Sequence, residues 1–262
     1  MDYRKLFDLT GKVCIVTGGT GYLGSENVKI LKDFGATVVV ADIRAAEERW
    51  ANAPQTVGDL FVPCDVSSSD SIRECFQKVS DTYGSIDVLV NCASYGAGYG
   101  KGSQLEFMDD DVFFKGVDGS LGVVFRGMRE VVPFMKEKGG SIINYCSMYG
   151  IVSPDLRIYG DNPQKQPPNY GAGKAGVAQI TRYAAGALAE YGIRVNCVTP
   201  GPFPNPRNQD DAAFNAQLAS KTMVGRFGQS YEIAGAILLL ASDASTFMTG
   251  SNITVDGGWT AW

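Results

Sequence analysis

Short apolar, β-branched runs alternate with longer helical patterns along the whole 262-residue chain. Nearly unbroken hydrophobicity is typical of strands in a parallel sheet that is covered on both faces. The alternation predicts a doubly wound α/β fold of about seven strands, with right-handed crossovers and helices on both faces. The predicted strands are Val13–Thr17, Thr37–Asp42, Leu60–Cys64, Val88–Asn91, Ser141–Ser147, Arg194–Thr199 and Asn252–Val255. The predicted helices are Tyr22–Phe34, Ala45–Trp50, Ser69–Tyr83, Val123–Lys138, Tyr170–Tyr191 and Ser230–Ser242.

No repeat, low-complexity tract or linker divides the chain, so one domain is expected over residues 1–262. Three segments lack a helix or strand pattern: residues 94–111, 151–169 and 200–222. Each follows a predicted strand at its carboxyl end, the edge at which open α/β sheets bind ligands. We therefore expect these segments to surround a small-molecule substrate.

The chain contains no histidine, which excludes histidine-based catalytic triads and most zinc sites, and we predict no metal. Its formal net charge is −5 and it has no basic block, which argues against nucleic acid as a partner. No signal-peptide pattern and no bilayer-length apolar run are visible, so we expect a cytoplasmic protein with no membrane partner. The six cysteines are widely spaced and are interpreted as free thiols.

The first predicted strand runs into a glycine-rich turn and then a helix, Val13-Cys-Ile-Val-Thr-Gly-Gly-Thr-Gly-Tyr-Leu-Gly24. Gly18 can take the positive φ of a tight turn, and Gly24 permits close packing of the helix on the strand. The helix N-terminus offers N–H groups and a positive dipole end to a pyrophosphate. This order is typical of a Rossmann-like dinucleotide site. The turn residues expected to meet the nucleotide are Gly18, Gly21, Tyr22, Leu23 and Gly24.

The second predicted strand ends in Asp42, which is followed by Ile43. A carboxylate here can accept hydrogen bonds from both ribose hydroxyls, whereas a 2′-phosphate would meet it as a like charge. Both residues are therefore assigned to the cofactor, and NAD is predicted. Arg44 could partly offset the carboxylate, which keeps NADP as an alternative. Asp42 could also simply cap a following helix.

Tyr170-Gly-Ala-Gly-Lys174 places a tyrosine and a lysine on one face of a predicted helix. A free tyrosine, with a pKa of about 10, is a poor base at neutral pH. A neighbouring ammonium and the positive nicotinamide of an oxidised cofactor favour the phenolate, which makes the tyrosine a usable acid–base group. A surface helix can carry the same spacing, but Ser147 at the end of the preceding strand argues against that interpretation.

Together these motifs resemble the short-chain dehydrogenase/reductase family over essentially the whole chain. The resemblance implies an NAD(P)-dependent oxidoreductase that interconverts a secondary alcohol and a ketone. It implies that Ser147 holds the substrate oxygen, that Tyr170 exchanges the proton, and that Lys174 tunes the tyrosine and binds the nicotinamide ribose. Further cofactor contacts are implied for the segments that match the family's adenine, sheet-edge and nicotinamide motifs. These contacts are Asp65, Val66, Asn91, Ala93, Pro200, Gly201, Phe203 and Asn205.

The sequence departs from the family pattern at several points. Tyr22 stands where the family's middle glycine belongs. Ser120 replaces an asparagine that distorts its helix to support a water relay, and because serine can also bend a helix we keep Ser120 as a catalytic candidate. The insertion between Ser147 and Tyr170 is longer than usual. In the family the C-terminal part forms subunit contacts, so a homo-oligomer, most often a tetramer, is implied.

The substrate is indicated only by the loops. Ser153–Tyr159 and the ending Asp256–Trp262 resemble members that act on sugars and sugar acids, of the gluconate-dehydrogenase and the flagellin or surface-glycan modification types. Aromatic and cationic loop residues favour a sugar, sugar acid or polyol, with Arg157 as the expected anion contact. One alternative is a 3-oxoacyl-thioester reductase, which would normally favour NADPH. The other is a nucleotide-binding member without turnover, acting as a sensor or scaffold.

Overall fold

The computed structural model describes residues 2–44, 58–98, 100–162, 165–206 and 211–262. The strands in these ranges are β1 (Val13–Thr17), β2 (Thr37–Asp42), β3 (Leu60–Pro63), β4 (Val88–Asn91), β5 (Gly140–Tyr145), β6 (Ile193–Pro200) and β7 (Asn252–Val255). The α-helices in these ranges are α1 (Gly24–Asp33), α2 (Ser69–Tyr83), α3 (Asp110–Val117), α4 (Val123–Met135), α5 (Pro168–Leu188), α6 (Ala212–Ser220) and α7 (Ala234–Ala241).

The strands form one sheet in the order β3-β2-β1-β4-β5-β6-β7, and every pairing is parallel. The chain runs outward from β1 to β3 and then crosses to β4 on the other side of β1. This reversal opens a crevice at the carboxyl ends of β1 and β4, where such sheets bind their ligands. The predicted Rossmann-like, doubly wound fold is confirmed.

Side chains alternate between the two faces of the sheet, and each face is covered by helices. On β1, Val13 and Ile15 join the core formed with α2, α4 and α5, while Cys14 and Val16 join the core formed with α1 and α7. All six cysteines lie in the described ranges and are free thiols, as predicted. No helix among the described residues has the length and hydrophobicity needed to cross a membrane.

Most predicted elements are present with shifted ends. The predicted helix Tyr170–Tyr191 begins earlier, at Pro168, and its last residues form a separate 3₁₀ turn. The predicted helix Ser230–Ser242 is a 3₁₀ turn, Ser230–Ile233, followed by α7. The predicted helix Ala45–Trp50 lies outside the described residues.

Two helices lie in segments for which the sequence predicted irregular structure. α3 occupies the end of the 94–111 segment and continues past it, and α6 lies within the 200–222 segment. α3 was missed because Gly116, Gly119 and Gly122 lower the helix propensity of the stretch before Val123. α6 begins after Asp211, whose carboxylate caps it by accepting a hydrogen bond from the Phe214 N–H.

Candidate active site

An open cleft with a volume of about 1190 Å³ lies beyond the carboxyl ends of the central strands. All three predicted substrate segments contribute to it, for example through Tyr95, Tyr159 and Phe203. Three of the four predicted catalytic residues, Ser120, Ser147 and Tyr170, line the same cleft. The fold thus places the three loop segments and the predicted catalytic residues around one cleft.

Ser147 lies two residues beyond the end of β5 and precedes a short 3₁₀ turn, Met148–Gly150. It is only 7% exposed, and its Oγ accepts a hydrogen bond from the Tyr149 N–H at 3.2 Å. The turn ends at Gly150, where a Cβ would lie 2.7 Å from the backbone carbon of Lys174. Glycine at this position therefore lets the serine turn pack directly on α5, the helix that carries Tyr170.

Tyr170 and Lys174 lie one turn apart near the start of α5. The Lys174 Nζ is 5.8 Å from the centroid of the Tyr170 ring and donates a hydrogen bond to the Tyr145 carbonyl oxygen at 2.7 Å. Lys174 is buried, and within the described residues it forms no ion pair. Its ammonium group therefore lies beside the Tyr170 ring and is anchored to the end of β5.

Ser120 lies in a π-helical turn, Asp118–Gly122, that joins α3 to α4. Such insertions break the regular helical ladder and are frequent at functional sites. Ser120 is 1% exposed, lines the cleft, and its Oγ has no hydrogen-bond partner in the described ranges. A Cβ at Gly173 would lie 2.6 Å from the Ser120 Cβ, so α5 packs against the turn without an intervening side chain. The helix distortion expected around Ser120 is thus present as a π-helical turn.

In the glycine turn after β1, backbone segments lie too close together to admit a side chain at Gly18 or Gly24. Gly18 has a φ of +68°, and its N–H donates to the Ala41 carbonyl at 2.8 Å. A Cβ on Gly24 would collide with the Gly18 carbonyl oxygen, and one on Gly18 would lie 2.9 Å from the Ala93 Cα. α1 starts at Gly24, and its N-cap Leu23 makes no side-chain hydrogen bond. The Ser25 N–H donates to the Gly21 carbonyl at 2.9 Å, so the turn folds back onto the start of the helix and its positive dipole end. This cradle fits the pyrophosphate of a dinucleotide.

Asp42 is held against the glycine turn. It is 4% exposed, and its Oδ2 accepts hydrogen bonds from the Thr20 hydroxyl at 2.6 Å and from the Thr20 N–H at 3.2 Å. Its Oδ1 accepts from the Ile43 N–H at 2.8 Å. Thr20 was not among the predicted site residues, although a hydroxyl inside the glycine motif was a visible signal. The alternative that Asp42 caps a following helix falls on residues 45–57, outside the described ranges.

The predicted adenine segment folds into its own turn. The Asp65 carboxylate accepts from the Ser67 N–H at 2.9 Å and the Ser67 hydroxyl at 2.7 Å, and this pairing lowers the pKa of Asp65. The carbonyl oxygen of Val66 accepts a hydrogen bond from the Arg126 Nε at 3.0 Å. The segment after β3 is thereby tied to α4.

Asn91 faces α4 and is not among the described residues that line the cleft. Its Nδ2 donates to the Asn144 Oδ1 at 2.9 Å, and a Cβ on Gly127 would collide with its amide oxygen. The loop after β4 is held by Thr17, whose hydroxyl accepts from the Cys92 N–H at 3.2 Å and the Ala93 N–H at 3.4 Å. Asn91 thus stabilises the sheet edge, and Thr17 positions the loop that faces Gly18.

The segment after β6 is fixed from two sides. The Gly201 N–H donates to the Val255 carbonyl at 2.9 Å, and a Cβ on Gly201 would collide with the Asp256 Cα. The Phe203 ring, which lines the cleft, lies so close to Gly228 that any side chain there would strike it. Pro200 is the last residue of β6, and Asn205 lies beyond Phe203 on the same segment.

Arg157 is not among the described residues that line the cleft. Its side chain is 87% exposed, and its guanidinium pairs with Asp155 at 2.8 Å. Asp155 also pairs with Lys221 at 2.6 Å, which keeps the arginine on the outer side of the loop. This position disagrees with the expectation that Arg157 meets an anionic substrate. The lysines on the cleft are Lys115 and Lys165, and Lys115 was missed because α3 was missed.

Comparisons with known proteins agree with this geometry. Residues 23–260 match the family model described as enoyl-(acyl carrier protein) reductase. The chain belongs to the short-chain dehydrogenase/reductase family. It is similar to a 3-oxoacyl-(acyl-carrier-protein) reductase of Thermotoga maritima, with 37% identity over 257 residues that cover 95% of this chain and 98% of that protein. As a member of the family it is an NAD(P)-dependent oxidoreductase that acts on alcohol and ketone groups.

Two further relatives carry different names. A trans-4-hydroxycyclohexanecarboxylate dehydrogenase of Sinomonas cyclohexanicum is 35% identical over 259 residues, covering 95% of this chain and 93% of that protein. The crystal structure of a gluconate 5-dehydrogenase from Burkholderia cenocepacia, in complex with NADP and tartrate, superimposes with a TM-score of 0.84 at 28% identity and covers 99% of both chains. The relatives therefore share the chemistry but not one substrate.

Proposed function

We propose that this chain is an NAD-dependent dehydrogenase/reductase that interconverts a secondary alcohol and a ketone on a small hydroxylated acid, such as a sugar acid. The observation that carries the proposal is the meeting of Ser147, Tyr170 and Ser120 on one cleft, with Lys174 buried behind the tyrosine. This set of groups has a hydroxyl to hold an oxygen, a phenol to exchange a proton, and a cation to stabilise the phenolate.

In the mechanism, the substrate oxygen lies between the hydroxyls of Ser147 and Tyr170. Tyr170 takes the alcohol proton during oxidation and returns it during reduction, and Lys174, anchored on the Tyr145 carbonyl, favours the ionised phenol. When bound, the nicotinamide cofactor supplies the hydride acceptor or donor. The buried, unpartnered Ser120 hydroxyl, which packs against α5 at Gly173, would hydrogen-bond a water that relays protons between the site and solvent.

Support for NAD over NADP comes from Asp42. Its buried carboxylate is tied to the glycine turn through Thr20, so it is fixed beside the place where the adenosine ribose would bind. A 2′-phosphate there would bring a second negative charge close to the first. NADP is the alternative, because the related gluconate 5-dehydrogenase was crystallised with it.

Support for an acidic substrate comes from the cations of the cleft. Lys115 and Lys165 both line it, and within the described residues neither forms an ion pair. Aromatic rings complete the wall, with Tyr159 and Phe214 5.2 Å apart between centroids. Lysines beside rings suit a carboxylate on a hydroxylated ring or chain. The names of two relatives, a hydroxycyclohexanecarboxylate dehydrogenase and a gluconate dehydrogenase, also favour hydroxy acids.

A 3-oxoacyl-thioester reductase is the second candidate, because the Thermotoga relative carries that name. The two are separated by a panel of sugar acids, polyols, hydroxycyclohexanecarboxylates and a 3-oxoacyl thioester, followed by nicotinamide absorbance with each cofactor form. Fastest turnover of a hydroxy acid with NAD supports the proposal, and preference for the thioester with NADPH contradicts it. Calorimetric cofactor binding without turnover of any panel member indicates a sensor or scaffold instead.

We also propose that the chain assembles as a homotetramer, as the family resemblance implies. Light scattering of the purified protein tests this proposal. A tetrameric mass supports it, and a monomeric mass over the micromolar concentration range contradicts it.

A further inference from the structure

Arg126, on α4, is largely buried and hydrogen-bonds three other segments of the chain, at Val66, Asp118 and Tyr95. Its side chain is only 15% exposed, and its two terminal nitrogens donate to the two carboxylate oxygens of Asp118 at 2.8 and 2.9 Å. Such a two-pronged pair fixes both position and angle, which a lysine cannot reproduce. The same guanidinium also donates from Nε to the Val66 carbonyl. One side chain therefore joins the segment after β3 to the first residue of the π-helical turn.

Tyr95 extends this contact to the substrate cleft. Its hydroxyl donates to the Asp118 carboxylate and accepts from the Arg126 guanidinium at 3.3 Å, while its ring lines the cleft. Burial, followed by the Asp118 carboxylate, raises the pKa of Tyr95 to about 12. The Arg126 guanidinium in turn holds the pKa of Asp118 below its usual range. At neutral pH the tyrosine is thus the donor and the aspartate the acceptor.

The backbone of Tyr95 is locked to the same turn. Its N–H donates to the Gly119 carbonyl at 3.1 Å, and a Cβ on Gly119 would collide with the Tyr95 carbonyl. A Cβ on Gly122 would likewise collide with the Asp118 carboxylate. Glycine at 119 and 122 therefore lets Tyr95 and Asp118 approach the turn that carries Ser120.

We propose that Arg126 is a positioning residue that couples nucleotide binding at Asp65 and Val66 to the orientation of Ser120 and Tyr95. This inference rests on the proposed function, because it takes the segment after β3 as the adenine side of the cofactor site. If a bound cofactor orders the segment after β3, it also fixes the Arg126 side chain, because the Arg126 Nε donates to the Val66 carbonyl. Arg126 then holds Asp118, and Asp118 fixes both the π-helical turn and the Tyr95 ring.

The test is hydrogen–deuterium exchange of residues 118–122 with and without NAD, beside calorimetric NAD affinity. In the wild type, NAD should slow exchange in this turn. In Arg126→Lys, NAD should bind within about threefold of wild type, because the glycine turn is intact, but the protection of 118–122 should be lost. The turnover number should fall about tenfold with a smaller change in KM, since the displaced groups act on the reacting oxygen.

Arg129→Lys is the matched control. Arg129 lies on the same helix, pairs with the buried Glu130 and donates to the Ser69 hydroxyl on α2 at 2.7 Å. Within the described residues it makes no hydrogen bond to Asp118 or Tyr95, so this variant should keep the protection of 118–122 and the turnover of the wild type. Tyr95→Phe is a milder second variant that keeps the ring and should loosen the turn without unfolding the protein, as a thermal melt would show.

The inference is overturned if wild-type protein binds NAD but 118–122 show no added protection, or if Arg126→Lys retains both protection and turnover. Wild-type protein that binds neither NAD nor NADP would instead overturn the proposed function itself, and the coupling with it.

Discussion

The two ends of the ligand crevice differ in whether backbone contacts or side chains form them. At the nucleotide end, the turn after β1 is held by backbone contacts and by the buried pair of Asp42 and Thr20. At the substrate end, the cleft wall is made by side chains of three long segments, including Tyr159, Lys165 and Phe203. A larger side chain introduced at the nucleotide end would collide with backbone atoms. A side chain removed at the substrate end would leave a gap among other side chains and solvent. We therefore expect substitutions to act by collision at one end and by loss of contact at the other.

Tyr170 lies where the two ends meet, and its substitution should have the largest effect on rate. Tyr170→Phe removes only the phenolic oxygen, so NAD affinity should be retained while the turnover number falls by roughly 100-fold or more. Steady-state rates at saturating NAD, with calorimetric NAD titration of the same preparation, measure both quantities. Tyr183→Phe is the control, because Tyr183 lies on the same helix and is 74% exposed. Near-wild-type turnover in Tyr170→Phe would move the proton to another group, with Tyr149 and Tyr159 next in line.

The nucleotide end should be intolerant of even one methyl group. In Gly24→Ala the new Cβ strikes the Gly18 carbonyl, so the turn must open. We expect a loss of about 1–3 kcal/mol in the free energy of unfolding, as for overpacking, and an NAD affinity reduced by about tenfold or more, because the N–H cradle is displaced. Urea unfolding and calorimetry measure the two effects.

Gly186→Ala is the matched control for that collision. Gly186 lies in α5 and a Cβ there would meet nothing within 4 Å, so alanine should stabilise the protein by about 0.5–1 kcal/mol through its better helix propensity. Equal destabilisation by both substitutions would show that the nucleotide turn is not specially constrained.

These contrasts also explain which parts could be predicted from the sequence. The glycine turn, Asp42 and the Tyr170–Lys174 pair are local patterns, because turn geometry and helix spacing bring their residues together. The strands were recognised by their apolar runs. Thr20 was missed because its role depends on a carboxylate from the next strand, although it lies within the predicted motif.

The substrate end was less predictable for a physical reason. Whether a loop cation faces the cleft depends on distant partners: Asp155 holds Arg157 outside, and the unrecognised helix α3 presents Lys115. The contact between Tyr95 and Arg126 joins residues 31 positions apart, and only the folded chain shows it. Gly119 and Gly122 lower the helix propensity of this stretch and so made α3 hard to predict. In the folded chain they are the residues that permit close packing at the π-helical turn around Ser120.

Asp42 gives a smaller effect, confined to the nucleotide end. Asp42→Ala removes one negative charge and its hydrogen bonds, so NAD affinity should fall while NADP affinity rises, and the ratio between them should narrow by about tenfold. Calorimetric titration of both cofactors with wild type and variant measures that ratio. Thr20→Val distinguishes the effect of the Asp42 charge from the effect of its position. This variant keeps the carboxylate but removes the hydroxyl that holds it in place. Equal affinities for the two cofactors in the wild type would contradict the assignment of Asp42.

The smallest effects are expected among the cations at the substrate end, where each contributes one solvent-exposed contact. Lys115→Ala and Lys165→Ala should each raise KM for an acidic substrate several-fold, about 1 kcal/mol for a screened charge pair, and leave NAD affinity unchanged. Arg157→Ala should leave KM unchanged, because its guanidinium is occupied by Asp155 and lies outside the cleft. A neutral polyol compared with its acid gives the discriminating measurement, since only the acid should respond to the lysines. If Arg157→Ala raises KM for the acid and the lysine variants do not, the loop must turn inward on binding substrate.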